Sequence, residues 1–261
     1  MSIRESRILR PSYPGRDNAP VSELAVDAPA RRGRAWILLV LGLAVVALGY
    51  AVVDISTREA GPAVVRVDGI SDAQRLFGGL PQAGDRLGSS DAPVSIQIFN
   101  DLQCSSCRAD FLSTIPSIVE GDVRSGDVKL LMRHYSVARN ALELGFFGAE
   151  AAARQGYGWQ YTYLFFRNQD EAERFGVDDE LMASLAGSID ELEVAEWREV
   201  FDREEGAEGP IAKILEGYEE LGAELGIRAG QATIVSGPGG TRVLQEGPTA
   251  GQIEAAIAAV R

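Results

Sequence analysis

Two cysteines are all this chain has, Cys104 and Cys107, so no network of structural disulfides staples the fold. Histidine is scarcer still. His134 is the single one, and two thiols with one imidazole fall short of the four ligands of a closed tetrahedral metal site, so neither metal nor cofactor is expected. Basic residues form no stripe, and the formal charge of −13 would repel phosphate backbones, which argues against nucleic acid as a partner. There is no internal repeat. At 261 residues, 46% of them hydrophobic, the chain suffices for one sizeable core with appendages.

The charge is unevenly placed. Residues 1–34 hold seven Arg against four acidic residues, leaving 18 basic and 34 acidic residues beyond, so the head reads +3 and the body −16. The head mixes Pro, Arg, Ser and acids without apolar periodicity and could not bury enough surface to offset the entropy of ordering. It is expected to be a disordered cytoplasmic tail.

From Ala35 to Val53 the run AWILLVLGLAVVALGYAVV contains 19 residues and no charge. As a helix it would span about 28 Å of hydrocarbon, one bilayer crossing. Arg31, Arg32 and Arg34 precede it, and Asp54 and Glu59 follow. The positive-inside rule then puts the N-terminus in the cytoplasm and the larger C-terminal part outside, anchored in the cell membrane by a single pass. A cleaved signal peptide competes with this anchor, although a 34-residue leader is long for one. Residues 54–84 read as an extracytoplasmic stem ending in a short helix near Ser71–Phe77.

The domain proper, 85–261, opens on VSIQIFND, where Val94, Ile96 and Ile98 alternate with Ser95 and Gln97 at strand period. Both cysteines follow directly. Phe111, Leu112, Ile115, Ile118 and Val119 then recur at helical spacing, and Val128–Tyr135 reads as a second buried strand. A helical block covers about 139–225, broken near Gly156, Gly176, Gly187 and Gly206. Its aromatic stretch Gly158–Phe166 is read as helix core, not as a peptide groove. Ala232–Ser236 and Thr241–Gln245 are strands about a turn, and Thr249–Val260 closes as a helix. The order is β-α-β, helical block, β-β-α.

A Cys-x-x-Cys pair at a strand-to-helix junction places its first sulfur against the unpaired N–H groups and the positive end of the helix dipole. Cys104 is thus the candidate nucleophile and Cys107 the resolving thiol, with Ser105 and Ser106 able to add hydroxyl donors. The alternative is a purely structural bridge, which over so small a loop would restrain the unfolded chain by only about 2 kcal/mol. His134 sits in an apolar strand and is read as a hydrogen-bonded structural residue, not an acid–base group.

The stretch GLPQAGDRLGSSDAPVSIQIFNDLQCSSC (Gly79–Cys107), with MRHYSV (Met132–Val137) and LGIRAGQATIV (Leu225–Val235), resembles the DsbA-like family of extracytoplasmic thiol-disulfide oxidoreductases, in particular its single-span anchored bacterial members. The resemblance covers about residues 79–261. It implies an α/β, thioredoxin-like fold with a helical insertion, preceded by one transmembrane helix. It also implies exchange with thiols or disulfides of exported proteins, and a membrane quinone-linked oxidoreductase as the partner that reoxidises the site.

Three departures from the family pattern bear on that implication. The family's cis-proline, which faces the cysteine pair and borders the substrate groove, falls on Ala232, between Gln231 and Thr233. A cis bond without proline costs about 3–4 kcal/mol, so a trans or remodelled loop is expected. The acid many relatives carry six residues before the first cysteine is Ile98 here, and Asp101, though nearer in sequence, is expected to point elsewhere. Losing that acid should favour the Cys104 thiolate and slow proton removal from Cys107. Finally, Ser105 replaces a proline common after the first cysteine. Three readings stand: an oxidase of exported proteins, a reductase or isomerase on the same fold, and a thioredoxin-like binding module with attenuated catalysis.

Overall fold

The computed structural model describes residues 40–42, 66–135, 144–170, 178–204, 209–227 and 231–261. The chain divides into two units, Met1–Gly61 and Pro62–Arg261, and the second of them contains the sheet and the redox pair. The expected tail, 1–34, lies outside the described residues. Of the apolar run 35–53 only residues 40–42 are described; they are helical, with Val40 and Leu41 exposed. No helix among the described residues is long and apolar enough to cross a membrane.

Six strands form one sheet in the order β1-β2-β4-β3-β5-β6. At its centre β3 (Val94–Asn100) runs parallel to β4 (Val128–His134). The connection between them is α2 (Ser105–Ile118), followed by a π-helical turn at Val119–Val123, because parallel neighbours need a crossover. Strand β4 alternates buried and half-buried along its whole length, while β3 alternates and then buries its last three residues, as a central strand must when both faces are covered. On the other side β3 pairs antiparallel with β5 (Ala232–Gly237), which continues through a tight turn into the edge strand β6 (Gly240–Gln245). The closing helix α8 (Ala250–Val260) starts from a capping box between Thr249 and Gln252.

The expected order of elements is observed, with one addition. Residues assigned to the stem are built into the domain: α1 (Ile70–Phe77) buries Ala73, Leu76 and Phe77 in the main core, a face set by their i, i+3, i+4 spacing. Behind it the two-residue strands β1 (Gln82–Ala83) and β2 (Arg86–Leu87) extend the sheet beyond β4.

The helical block contains α3 (Leu144–Ala153), α4 (Gly158–Arg167), α5 (Asp179–Gly187), α6 (Val194–Glu204) and α7 (Pro210–Glu224). Of the four expected breaks, Gly156 lies between α3 and α4 and Gly187 ends α5, whereas Gly176 and Gly206 lie outside the described residues. All ten residues of α3 are buried, the pattern of a helix enclosed on every side. It approaches α4 closely through Gly145, where a Cβ would come within 2.6 Å of the Phe165 ring. From Trp159 to Phe166 every residue of α4 is buried, so the aromatic stretch is core as expected.

Two apolar clusters result. The larger lies on the Ile96 and Ile98 face of β3, beneath α2 and α8, and continues into the helical block. The smaller, Phe99, Ile227, Ala232 and Ile234, lies on the opposite face with Leu221 of α7 against it.

Candidate redox site

After β3 the backbone turns through Asp101–Gln103. The Asp101 carboxylate accepts from the Gln103 N–H at 2.9 Å, and the Asp101 carbonyl accepts from the Cys104 N–H at 3.1 Å. This is an Asx-type turn; it engages the Asp101 carboxylate in the loop and delivers Cys104 in extended conformation as the N-cap of α2. An N-cap side chain ordinarily offers oxygen to the free N–H groups of the first turn. In this helix a sulfur does so: Sγ of Cys104 accepts from the Cys107 N–H at 3.0 Å.

The two cysteines are joined in a disulfide, with Cα atoms 5.2 Å apart. They differ in access. Cys104 is half-buried, whereas Cys107 is 1% exposed, so an incoming sulfur meets Cys104 first. Ser106 Oγ lies 3.2 Å from Sγ of Cys104, and Ser105 is exposed beside it. Thiolate at Cys104 would therefore find a backbone N–H, a hydroxyl and the positive helix terminus together.

Below the pair opens a narrow cleft. Its walls join Ile98 of β3, Cys107 of α2 and the Gln231–Ala232–Thr233 run at the start of β5. The antiparallel register sets Ile98 opposite Thr233 and Phe99 opposite Ala232. Ile98 is 7% exposed, Ala232 and Thr233 are buried, and Gln231 is half-buried. Eight of the nine residues singled out in the sequence thus lie in the disulfide loop or line the cleft, and the ninth, Asp101, forms the turn that leads into the loop.

Sequence reasoning did not pick out three further features. Asp110, three residues beyond Cys107, also lines the cleft, and its carboxylate occupies the space that a side chain at Gly247 would fill. Its helical spacing from Cys107 was the signal that could have found it. From the helical block, Gln169 donates to the Leu102 carbonyl at 2.7 Å and Asp170 pairs with Arg108. Nothing in the sequence pattern pointed to those two. Phe111 of α2 meets Phe166 of α4 with ring centroids 5.0 Å apart, so the redox helix is docked on the block by packing as well.

His134 is 4% exposed, packed edge-on against Phe146 at 5.3 Å between centroids. Burial pushes its pKa down to about 3, which keeps it neutral. Its burial fits a structural role, but the hydrogen bond expected of it is not made by Nδ1, which has no partner among the described residues. No group of three or more His, Cys, Asp or Glu among the described residues could hold a metal ion.

A Cys-x-x-Cys disulfide capping the helix after a central strand, with a helical block inserted between the β-α-β and β-β-α halves, defines a thioredoxin-like fold with a helical insertion. The family model described as thioredoxin matches residues 82–213, just over half of the chain. The chain belongs to that family. Disulfide bond formation protein D of Bacillus subtilis is 25% identical over 145 residues, covering 55% of this chain and 63% of that protein. Probable disulfide bond formation protein D of Bacillus cereus is 24% identical over 115 residues, covering 43% and 53%. The chain thus matches less than two thirds of the length of these curated relatives. Among solved structures, oxidised BdbD from Bacillus subtilis superposes with a TM-score of 0.53 at 21% identity, covering 69% of this chain and 95% of that one. DsbA from Chlamydia trachomatis gives 0.54 at 17% identity, covering 67% and 89%. These likenesses are of fold.

Proposed function

We propose that this protein is a thiol-disulfide oxidoreductase that works through Cys104 and Cys107 in the oxidising direction. The observation that carries the reading is the asymmetric pair itself: an accessible sulfur at a helix N-terminus, hydrogen-bonded by the N–H of a buried partner cysteine. A substrate thiolate attacks Sγ of Cys104 and the Cys104–Cys107 bond breaks, leaving its electron pair on Cys107. A second substrate thiolate then displaces Cys104, so the substrate dithiol leaves oxidised and the protein is left reduced. The names of the curated relatives, disulfide bond formation protein D, support the direction.

The finer reading is an enzyme held in the cell membrane by residues 35–53, with its N-terminus in the cytoplasm and its domain outside. It would act on thiols of exported proteins and be reoxidised by a membrane quinone-linked oxidoreductase. Support comes from the charge-free run and the arginines before it.

The test is a Cys107→Ser variant of the full chain expressed in bacterial cells. Mixed disulfides through Cys104 that dissolve on adding thiol, recovered with exported proteins, are expected; their repeated absence would overturn the reading. Equilibration of the wild type with glutathione decides direction, because a strongly reducing potential would instead fit a reductase or isomerase. Retention of the chain in the membrane after alkaline carbonate extraction tests the anchor.

The departures at Ile98 and Ala232 favour a second reading, a binding module without turnover. A wild type that fails to exchange with any small dithiol would support it.

A further inference from the structure

Thiol-disulfide exchange needs Cys107 to change protonation state. When the disulfide opens, Cys107 leaves as a thiolate that must gain a proton; when it closes again, the thiol must lose one. Cys107 is sealed from bulk water on the outside, at 1% exposure, so the proton has to travel through the cleft beneath it. The strand position under the pair is Ile98, which carries no proton. Of the residues lining that cleft, Asp110 is the one carboxylate among those described.

Its placement is built, not incidental. Asp110 stands one helical turn beyond Cys107 on the same face of α2, a spacing that brings Cβ atoms to about 5–6 Å. The carboxylate is received by Gly247, in the turn between β6 and α8. A Cβ at Gly247 would overlap Oδ2 of Asp110 and come within 3.1 Å of Oε1 of Gln231. Gly247 has φ +67°, a conformation that favours glycine, so the space for the carboxylate comes with the turn. The half-buried acid thus shares one cleft with Cys107 and with Gln231–Thr233 at the start of β5.

The geometry points to Asp110 as the proton carrier for Cys107, taking the place of an acid on the strand; this rests on the redox reading proposed above. On opening, the departing Cys107 thiolate takes up a proton by way of Asp110 and a water in the cleft. On closing, the Asp110 carboxylate takes the proton from the Cys107 thiol. The resulting thiolate attacks Sγ of Cys104, and the sulfur of the mixed disulfide leaves with the electron pair. Protons and electrons balance within the two cysteines, the carboxylate and the bound thiol. Asp110 is a positioning and proton-carrying residue; the attacking atoms remain the two sulfurs.

The test separates the steps. Reduced full-length protein mixed with excess 5,5′-dithiobis(2-nitrobenzoate) releases one equivalent of coloured thiolate as Cys104 is captured and a second as Cys107 closes the disulfide. In Asp110→Asn the first phase should be unchanged. The second should slow by about tenfold or more near neutral pH, at the low end of acid–base contributions, and its pH profile should differ from the wild type's. Asp110→Glu should recover most of the rate, and circular dichroism should show both variants folded. A second phase in Asp110→Asn with the wild-type rate and pH profile overturns the role of Asp110 while leaving the redox reading intact. A wild type that releases no thiolate overturns both.

Discussion

Gln169, just after α4 in the helical block, donates its side-chain N–H to the carbonyl of Leu102 across 2.7 Å, two residues before Cys104. Both residues are buried, so the carbonyl has no water to fall back on, and the block holds the redox loop by this bond. Gln169→Leu keeps the volume and removes the donor. It should cost about 1–3 kcal/mol, the penalty for a buried acceptor left unpaired. Amide exchange across residues 102–108 should then run about ten- to a hundredfold faster. The nearby pair of Arg108 with Asp170 is more exposed, Asp170 at 60%, and pairs of that kind contribute less than about 1 kcal/mol. Asp170→Asn should therefore change exchange little; equal effects from the two variants would refute the ranking.

The disulfide and the thiolate compete to stabilise the same loop. Closing so small a ring restrains the unfolded chain by about 2 kcal/mol. Once reduced, Cys104 as a thiolate makes charge-assisted the contacts its sulfur already has in the disulfide, with the Cys107 N–H at 3.0 Å and the Ser106 hydroxyl at 3.2 Å, and bonds to charged groups contribute about 1.5–3 kcal/mol each. At pH 8 the reduced protein should melt no lower than the oxidised one. At a pH low enough to protonate the thiolate, the oxidised form should melt higher. Thermal unfolding with and without reductant at both values decides it, and an oxidised form more stable by several degrees at pH 8 would refute the balance.

What the sequence made legible was local. The alternation of Val94, Ile96 and Ile98, the cysteines directly after it and the helical spacing from Phe111 to Ile118 lie within one stretch, so the N-cap position of Cys104 could be read from period and junction alone. The meeting of Ile98 with Thr233 could not. It depends on β5 returning antiparallel beside β3, a pairing between distant segments that only the family resemblance suggested. The contact of Gln169 with Leu102 was hidden because it depends on how the helical block leans on the sheet. Strands β1 and β2, two residues each, are too short to show any period. The stem was read too long for a related reason: an apolar face of three residues on α1 looks the same whether it is buried or not.

Gly148 shows the same limit from the other side, since a glycine among alanines reads as a weak point in a helix and in α3 is a requirement of packing. A methyl group on it would overlap the hydroxyl of Tyr161. That hydroxyl donates to the Met182 carbonyl at 3.2 Å, and the Gly148 carbonyl accepts from the Trp197 indole at 2.9 Å. Gly148→Ala gains helix propensity of up to about 1 kcal/mol, but overpacking a filled core costs about 1–3 kcal/mol and also strains the Tyr161 bond. Net destabilisation of about 1–2 kcal/mol is expected by these figures, measured by urea unfolding. A variant as stable as the wild type would mean that α3 and α4 can part without loss.

Two buried groups should give stability opposite dependences on pH. Burial raises Glu150 of α3 to about 7, against the lowering pull of Arg154 and Arg133, whereas an unfolded glutamate ionises near 4.5. Between those values the folded chain keeps a proton that the unfolded chain has released, so raising the pH through that window favours unfolding. For His134 the order is reversed. It stays neutral down to about 3 when folded but takes a proton near 6.5 when unfolded, so acidification from 6.5 towards 3 favours unfolding. Glu150→Gln keeps the shape and removes the first effect. It should stabilise the protein by about 1–3 kcal/mol at pH 8, with the gain fading towards pH 5. His134→Leu should act at the other end, adding stability at pH 4 relative to pH 7. Chemical denaturation from pH 4 to 8 of the wild type and both variants measures the two slopes. If Glu150→Gln were no more stable at pH 8 than at pH 5 relative to the wild type, the carboxylate would be ionised and compensated by Arg133 and Arg154, not held neutral by burial.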